Sequence, residues 1–330
     1  MKKLITTILL TVSILTLTAC GNTTKKDKVL NIGINQIVEY VALDDNREGF
    51  IKALEEAGYK DGDNIKIDYK NAQGDIGVSQ SIAQKFVSDK KDLVFAIGTP
   101  AAQSVFNATK ETPIIISAVT DPIEAGLADS LEKPGKNVSG TLDYLPVENQ
   151  LKLLKELVPK AKKIGFIYNT SEVNSEVQLN ELKKVAKDYE IITTGVTSTN
   201  EVNNAIVNLV NKIDVLYVPT DQLVVSSMPI IVKHTLDAKI PIIAAEKGSV
   251  ESGALGTVGI DYYQLGYEAG KMAVAVLKGE DISKMPIKMP SKTEIYINKN
   301  TLEKLGINKS NLGVQPLLGV LVDDIKILVW

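Results

Sequence analysis

From Val29 onward, short runs of β-branched and apolar residues alternate with longer stretches whose apolar positions recur every three to four residues. Segments 29–35, 64–69, 92–97, 113–119 and 137–142 read as strands, and 45–58, 79–88 and 100–109 as helices between them. In 45–58 the residues Phe50, Ile51, Leu54 and Ala57 share one helix face, and Gly58 supplies the stop. A second series follows: strands at 163–168, 190–194, 215–218 and 241–244, with helices at 148–158, 175–189, 201–211 and 226–238. Beyond it lie a strand at 255–260, a helix at 263–278, a strand at 292–297 and a short helix at 301–305. Repeated βα units with near-continuous apolar strands predict parallel sheets covered by helices on both faces. Two such series predict two α/β lobes.

Ligands in open parallel sheets sit where strands end and helices begin. The strand at 92–97 runs into Gly98-Thr99-Pro100-Ala101-Ala102, in which Thr99 suits an N-cap and Pro100 the first helical position. The free N–H groups of that turn, around Thr99, Ala101 and Ala102, with the Thr99 hydroxyl, suit a carboxylate or phosphate. Other strands end in Thr120-Asp121-Pro122, in Asn169 through Asn174-Ser175, and in Pro219-Thr220-Asp221. Facing rims of this kind make a cleft for a zwitterion, with Asp121 or Asp221 on the ammonium and Thr99 on the carboxylate. Each residue also has a purely local reading, since Asx and hydroxyl side chains favour turns and caps.

The first thirty residues add an address. Lys2 and Lys3 precede an apolar run from Leu4 to Leu17, and then comes Leu17-Thr18-Ala19-Cys20-Gly21. A basic start, a short apolar core and small residues before a cut site describe an export signal. The end of the run resembles the bacterial lipobox, so residues 1–20 are expected to be a lipoprotein signal peptide, with Cys20 lipidated. Polar residues 21–28 follow as a flexible tether. The chain is then anchored outside the cell membrane.

Composition narrows the ligand and the chemistry. Net charge −3 and pI near 5.5 argue against a nucleic-acid partner. Aromatic residues are only 5%, which lowers the case for stacked sugars, and Arg47 is the single arginine, so a guanidinium clamp has one possible source. The single histidine, His234, falls inside a helix, Cys20 is the single cysteine, and neither a phosphate loop nor a zinc motif is present. No enzyme activity, cofactor or metal is expected.

At these same residues the chain resembles the ABC transporter substrate-binding family typified by tryptophan- and tyrosine-binding lipoproteins. The resemblance runs through Ile37-Val38-Glu39-Tyr40-Val41-Ala42-Leu43-Asp44, Arg47-Glu48-Gly49-Phe50, Asn71-Ala72-Gln73-Gly74-Asp75 and the strand ends quoted above, to Gly259-Ile260-Asp261-Tyr262. It implies a type I periplasmic-binding-protein fold: two doubly wound parallel-sheet lobes joined by a three-crossover hinge, with an aromatic amino acid held between them and passed to an ABC permease. The lobes would comprise 29–142 with 257–282 and 143–256 with 283–310, leaving an atypical apolar tail at 311–330. Glu39, Tyr40, Asp44 and Asp261 join the pocket by matching position. Family members commonly show His-Pro where this chain has Tyr40-Val41, which keeps an aromatic face but no cation. A monomer is implied. A purine-nucleoside binder, with Tyr40 and Tyr168 or Tyr262 flanking a base, and a ligand sensor without transport are the competing readings.

Overall fold

A computed structural model describes residues 29–307 and the strand 324–328. The signal, Cys20 and tether expectations fall outside the described residues, as does most of the tail. The first series folds as β1 (Leu30–Gln36), α1 (Val41–Glu56), β2 (Ile65–Asn71), α2 (Ile76–Ser88), β3 (Leu93–Ile97), α3 (Thr99–Ala108), β4 (Ile114–Val119) and β5 (Val138–Leu142). Its strands form one parallel sheet in the order β2-β1-β3-β4-β5. Every residue of β3, β4 and β5 is buried, as a sheet covered on both faces requires.

The second series folds as α4 (Val147–Leu157), β6 (Lys163–Asn169), α5 (Val173–Val185), β7 (Glu190–Val196), α6 (Thr199–Leu209), β8 (Val215–Val218), α7 (Gln222–Ser226), α8 (Met228–Asp237), β9 (Ile242–Ala244), α9 (Lys247–Glu251) and β10 (Gly256–Gly259). The chain then forms α10 (Tyr262–Leu277), β11 (Glu294–Asn298), α11 (Lys299–Leu305) and β12 (Asp324–Leu328). The second sheet runs β12-β11-β10-β9-β8-β6-β7, parallel except where β10 meets β11. The tail thus supplies one described strand, β12, alongside β11.

The sequence-based lobe boundary needs correcting at two points. Residues 257–259 stay in the second sheet, because β10 pairs with β9 and β11. The chain enters the first lobe only with Ile260 and α10, and remains in that core through Ile287. Lys288 still lies beside β5, donating its N–H to Gly140 and accepting from Leu142. The crossovers are therefore 143–146, 260–261 and 289–293. Periodicity identifies a strand; only its long-range partners decide which sheet receives it.

Helix α10 completes the first lobe by packing on α1. A Cβ placed on Gly266 would stand 1.8 Å from the Asn46 carbonyl oxygen, so at this crossing the backbones touch. Beneath it Phe50 stacks on Phe95 with ring centres 3.8 Å apart. In the second lobe Phe166 stacks on Tyr217 at 5.6 Å. The parallel strands β4, β5, β8 and β9 end at Thr120, Asp143, Thr220 and Glu246 on the seam between the lobes, whereas β11 and β12 run the opposite way in the second sheet.

Candidate functional site

Two sets of hydrogen bonds cross that seam. Tyr40 occupies the N-cap position of α1 with extended backbone, yet its side chain caps nothing locally. Its hydroxyl donates to Glu246 Oε1 at 2.8 Å and lies 3.2 Å from Ser249 Oγ, both in the second lobe. Glu246 is held for this contact because it caps α9, accepting from the N–H groups of Gly248 and Ser249 at 2.5 and 2.6 Å. The second set is a directed chain. Gln178 Nε2 donates to Thr220 Oγ1 at 2.6 Å, so the Thr220 hydroxyl points on to Thr120 Oγ1 at 3.2 Å. The Thr120 hydroxyl then donates to Asp143 Oδ1 at 3.1 Å, and Tyr262 donates to Asp143 Oδ2 at 3.0 Å.

Between these two sets lies a narrow, half-open crevice of about 10 Å³, room for little more than a water molecule with the lobes this close. Tyr40 and Leu43 wall it from the first lobe, Thr220 and Gln222 from the second, with Asp143, Glu246 and Tyr262 around the end. A larger space of about 140 Å³ adjoins it across Ala42 and Tyr262. No lysine or arginine lines the smaller space. Burial pushes the carboxyls of Asp143 and Glu246 up from the usual range, and burial followed by carboxylate charge raises the Tyr40 and Tyr262 phenols well above theirs.

The first turn of α3 faces the same seam. Gly98, at φ 94°, lets the backbone come close: a Cβ there would meet Ile37 Cγ2 at 2.7 Å and Gln222 Cδ at 4.0 Å. Thr99, Ala101 and Ala102 are buried behind it. Below the seam a second polar cluster gathers. Asp221 Oδ2 accepts from Asn169 N and Ser175 Oγ, each at 2.6 Å, and Oδ1 accepts from Val224 N at 2.9 Å. Glu172 accepts from Asn169 Nδ2, Asn174 Nδ2 and Gln222 N at 3.2, 3.2 and 3.0 Å. The buried carbonyl oxygens Asn174 Oδ1 and Gln222 Oε1 have no hydrogen-bond partner.

The structure sorts the residues singled out from sequence. Tyr40, Thr120 and Thr220 meet at the seam, with Thr99, Ala101 and Ala102 on its α3 side. Asn169, Asn174 and Ser175 gather around Glu172 and Asp221. Glu39 and Asp44 stand apart, whereas Asp121 borders a cleft beside Thr120 and Asp261 lines the larger adjoining space. Glu39 is exposed, with Tyr69 donating to it at 3.4 Å, and Asp44 is paired to Arg47 at 2.7 Å. Asp121 closes a turn onto the N–H groups of Ile123 and Glu124, and Asp261 is an exposed cap of α10. Asp221 is fully buried, accepts from Asn169, Ser175 and Val224, and does not line the seam crevice. Arg47 spends its guanidinium on Asp44, Gln36 and Tyr69. His234 bonds Asn203 at 3.2 Å between α6 and α8.

Sequence reading missed Asp143, Glu172, Gln178, Gln222 and Glu246, and offered Tyr262 only as a ring flanking a nucleoside base. A signal existed for three: Asp143, Glu246 and Tyr262 follow β5, β9 and β10, where the strand-end rule applies equally. Gln178 lies inside α5 and carries no local mark.

Comparison with known proteins places these features. A family model for ABC transporter substrate binding protein matches residues 31–315. A tyrosine-binding protein of Clostridioides difficile (strain R20291) is 59% identical over 288 residues, covering 87% of this chain and 84% of that protein. A solved complex with L-Trp from Streptococcus pneumonia is 37% identical with a TM-score of 0.84, covering 91% of this chain and all of that one. A ligand-free, open substrate-binding protein with adhesive properties from Clostridium difficile is 54% identical with a TM-score of 0.66 over 91% of this chain and 100% of that one. The fold is the type I periplasmic-binding arrangement of two α/β lobes.

Proposed function

The chain belongs to the ABC transporter substrate-binding protein family, and we propose that it captures an aromatic amino acid, tyrosine or tryptophan, between its lobes for import. The observation that carries this reading is the polar crevice that both lobes line at the seam. Both lobes wall it, Asp143 and Glu246 are buried beside it, and it lacks a protein cation. Buried carboxylates without a compensating cation are costly even when hydrogen-bonded, and a ligand's ammonium supplies the missing charge. The first turn of α3 offers N–H groups and the Thr99 hydroxyl to the ligand's carboxylate. The names of the relatives support an aromatic side chain.

Binding proceeds by lobe closure, the ligand stabilising the state in which Tyr40 reaches Glu246 and Thr120 reaches Thr220. The superposition supports the closed state for this structure: it fits the 37% identical complex better than the 54% identical open form. Residues 1–28 support export and a lipid anchor at Cys20, which would hold the protein beside a membrane permease. Tyr40 and Tyr262 stand in one pocket, so a purine nucleoside is the second reading. Thermal-shift screening of the twenty amino acids and the purine nucleosides, followed by calorimetry, separates them. Stabilisation by L-tyrosine or L-tryptophan is expected; stabilisation by nucleosides alone would overturn the amino-acid reading.

A further inference from the structure

Glu172 is 3% exposed, at the N-terminal end of α5, one layer behind the seam. Its nearest ionisable neighbour is Asp221, which is fully buried and tied to the same residue: Asn169 gives its backbone N–H to Asp221 and its side-chain amide to Glu172. No cation compensates the pair. The groups facing Glu172 from α5 and the β8–α7 connection are the neutral side chain of Asn174, the backbone of Gln222 and the carboxylate of Asp221. Across the seam the next charge is another carboxylate, Asp143, reached through Thr220 and Thr120.

The two carboxyls are not equivalent. Burial pushes the Asp221 carboxyl up, but short bonds from fixed donors pull it back toward the anion. Glu172 has only longer bonds, of 3.0 to 3.2 Å. The residues that supply two of them, Asn174 and Gln222, are 2% and 7% exposed, and each keeps a carbonyl oxygen without a donor. The cluster therefore has more acceptors than hydrogens. A primary ammonium brings three N–H donors and a positive charge to such a place.

We propose that Glu172 sets the charge of the ligand site: it carries a proton in the empty cleft and releases it when a ligand's ammonium enters the crevice that Gln222, with its unpaired Oε1, lines beside Asp143 and Glu246. The inference rests on the amino-acid reading above. In the exchange the Glu172 O–H bond breaks, the proton passes to solvent, and the incoming ammonium replaces its charge, so the buried cluster stays at constant net charge. Glu172 acts through Gln222 as a positioning residue. Burial and the charge of Asp221 push its carboxyl up to about 8, which puts the exchange in the neutral range.

Linkage fixes the sign. A proton released on binding makes affinity rise with pH, by up to about tenfold per pH unit below the free-state value. The test is calorimetry of the intact protein with L-tyrosine at pH 6 to 8 in buffers of different ionisation enthalpy, with L-tryptophan as a second probe. Wild type is expected to release close to one proton near pH 6.5 and to bind more tightly as pH rises. Glu172→Gln is expected to bind with a flat profile and no release. Binding without proton exchange in wild type overturns the proposal, a result that needs no variant to fold. Release that persists in Glu172→Gln overturns it too, by assigning the proton to Asp143 or Glu246. Failure to bind any amino acid sinks the functional reading itself, and is told apart by the missing binding heat.

Discussion

Removing one oxygen atom should unlatch the lobes. Tyr40→Phe keeps the ring that walls the pocket and deletes the hydroxyl that reaches Glu246 at 2.8 Å and Ser249 at 3.2 Å. A hydrogen bond to a charged acceptor contributes about 1.5–3 kcal/mol. Glu246 Oε1 keeps the Ser249 N–H at 2.6 Å, so no buried acceptor is orphaned and the lower half of that range applies. Each ~1.4 kcal/mol is tenfold in an equilibrium, so the closed state should lose about tenfold in population relative to the open one. The change can be read by energy transfer between dyes on cysteines placed at exposed Val78 in the first lobe and Val207 in the second, with Cys20 replaced. Ligand-free Tyr40→Phe should show a longer mean distance than wild type, and L-tyrosine should bind about tenfold more weakly. Unchanged distances together with unchanged affinity would refute the latch.

Further outcomes follow from the same geometry. Asp143→Asn removes a buried charge that accepts from Thr120 and Tyr262, and should cost about 3 kcal/mol of amino-acid affinity by calorimetry; a change below threefold in Kd would remove Asp143 from the ammonium site. Asp221→Ala should instead lower stability by about 2 kcal/mol in urea denaturation, through loss of the α7 cap and the Asn169 and Ser175 bonds; large affinity loss at constant stability would return it to the ligand. Gly266→Ala should cost about 4 kcal/mol or prevent folding, as circular dichroism melting would show, because its methyl group would sit inside the contact distance of the Asn46 carbonyl. Because the folded-state value of Glu172 is raised to about 8, its contribution to stability is complete below its ordinary value and is lost as pH rises toward 8. The melting temperature of the ligand-free protein should therefore fall from pH 5 to 8, and Glu172→Gln should flatten that slope; a slope identical in both would place the effect elsewhere.

The two-lobed α/β plan was legible because buried parallel strands leave an apolar run that turn residues cannot imitate, as in Leu93-Val94-Phe95-Ala96-Ile97. Helix starts were harder. α1 begins at Val41, not at 45, and carries no capping signal because its N-cap is Tyr40, whose hydroxyl stands too far from the first-turn N–H groups to cap them. α7 and α9 have only five residues each, too short for periodicity to register, yet Asp221 and Glu246 are in place because they cap them. Thr99, Thr120 and Thr220 were readable as polar residues at strand ends. What could not be read was pairing: that Asp221 is filled by Asn169 and Ser175, and that Gln178 reaches Thr220 from mid-helix. Those depend on contacts between residues far apart in the chain, which local pattern does not encode.

The crossing at Gly266 also bears on how the chain reaches its native state. Helix α10 supplies the first-lobe core with Leu265, Ala269, Met272 and Ala273, yet it is synthesised after β6 through β10 of the second lobe. A nascent chain ending at β5 holds a complete five-stranded set but has one face of its packing unmade. Contacts of such long sequence separation form late and slowly. The first lobe should therefore stay loose until most of the second lobe has been made. The chain then gains its two halves together, and a cut between β5 and α10 would release a fragment prone to aggregate rather than an independent domain.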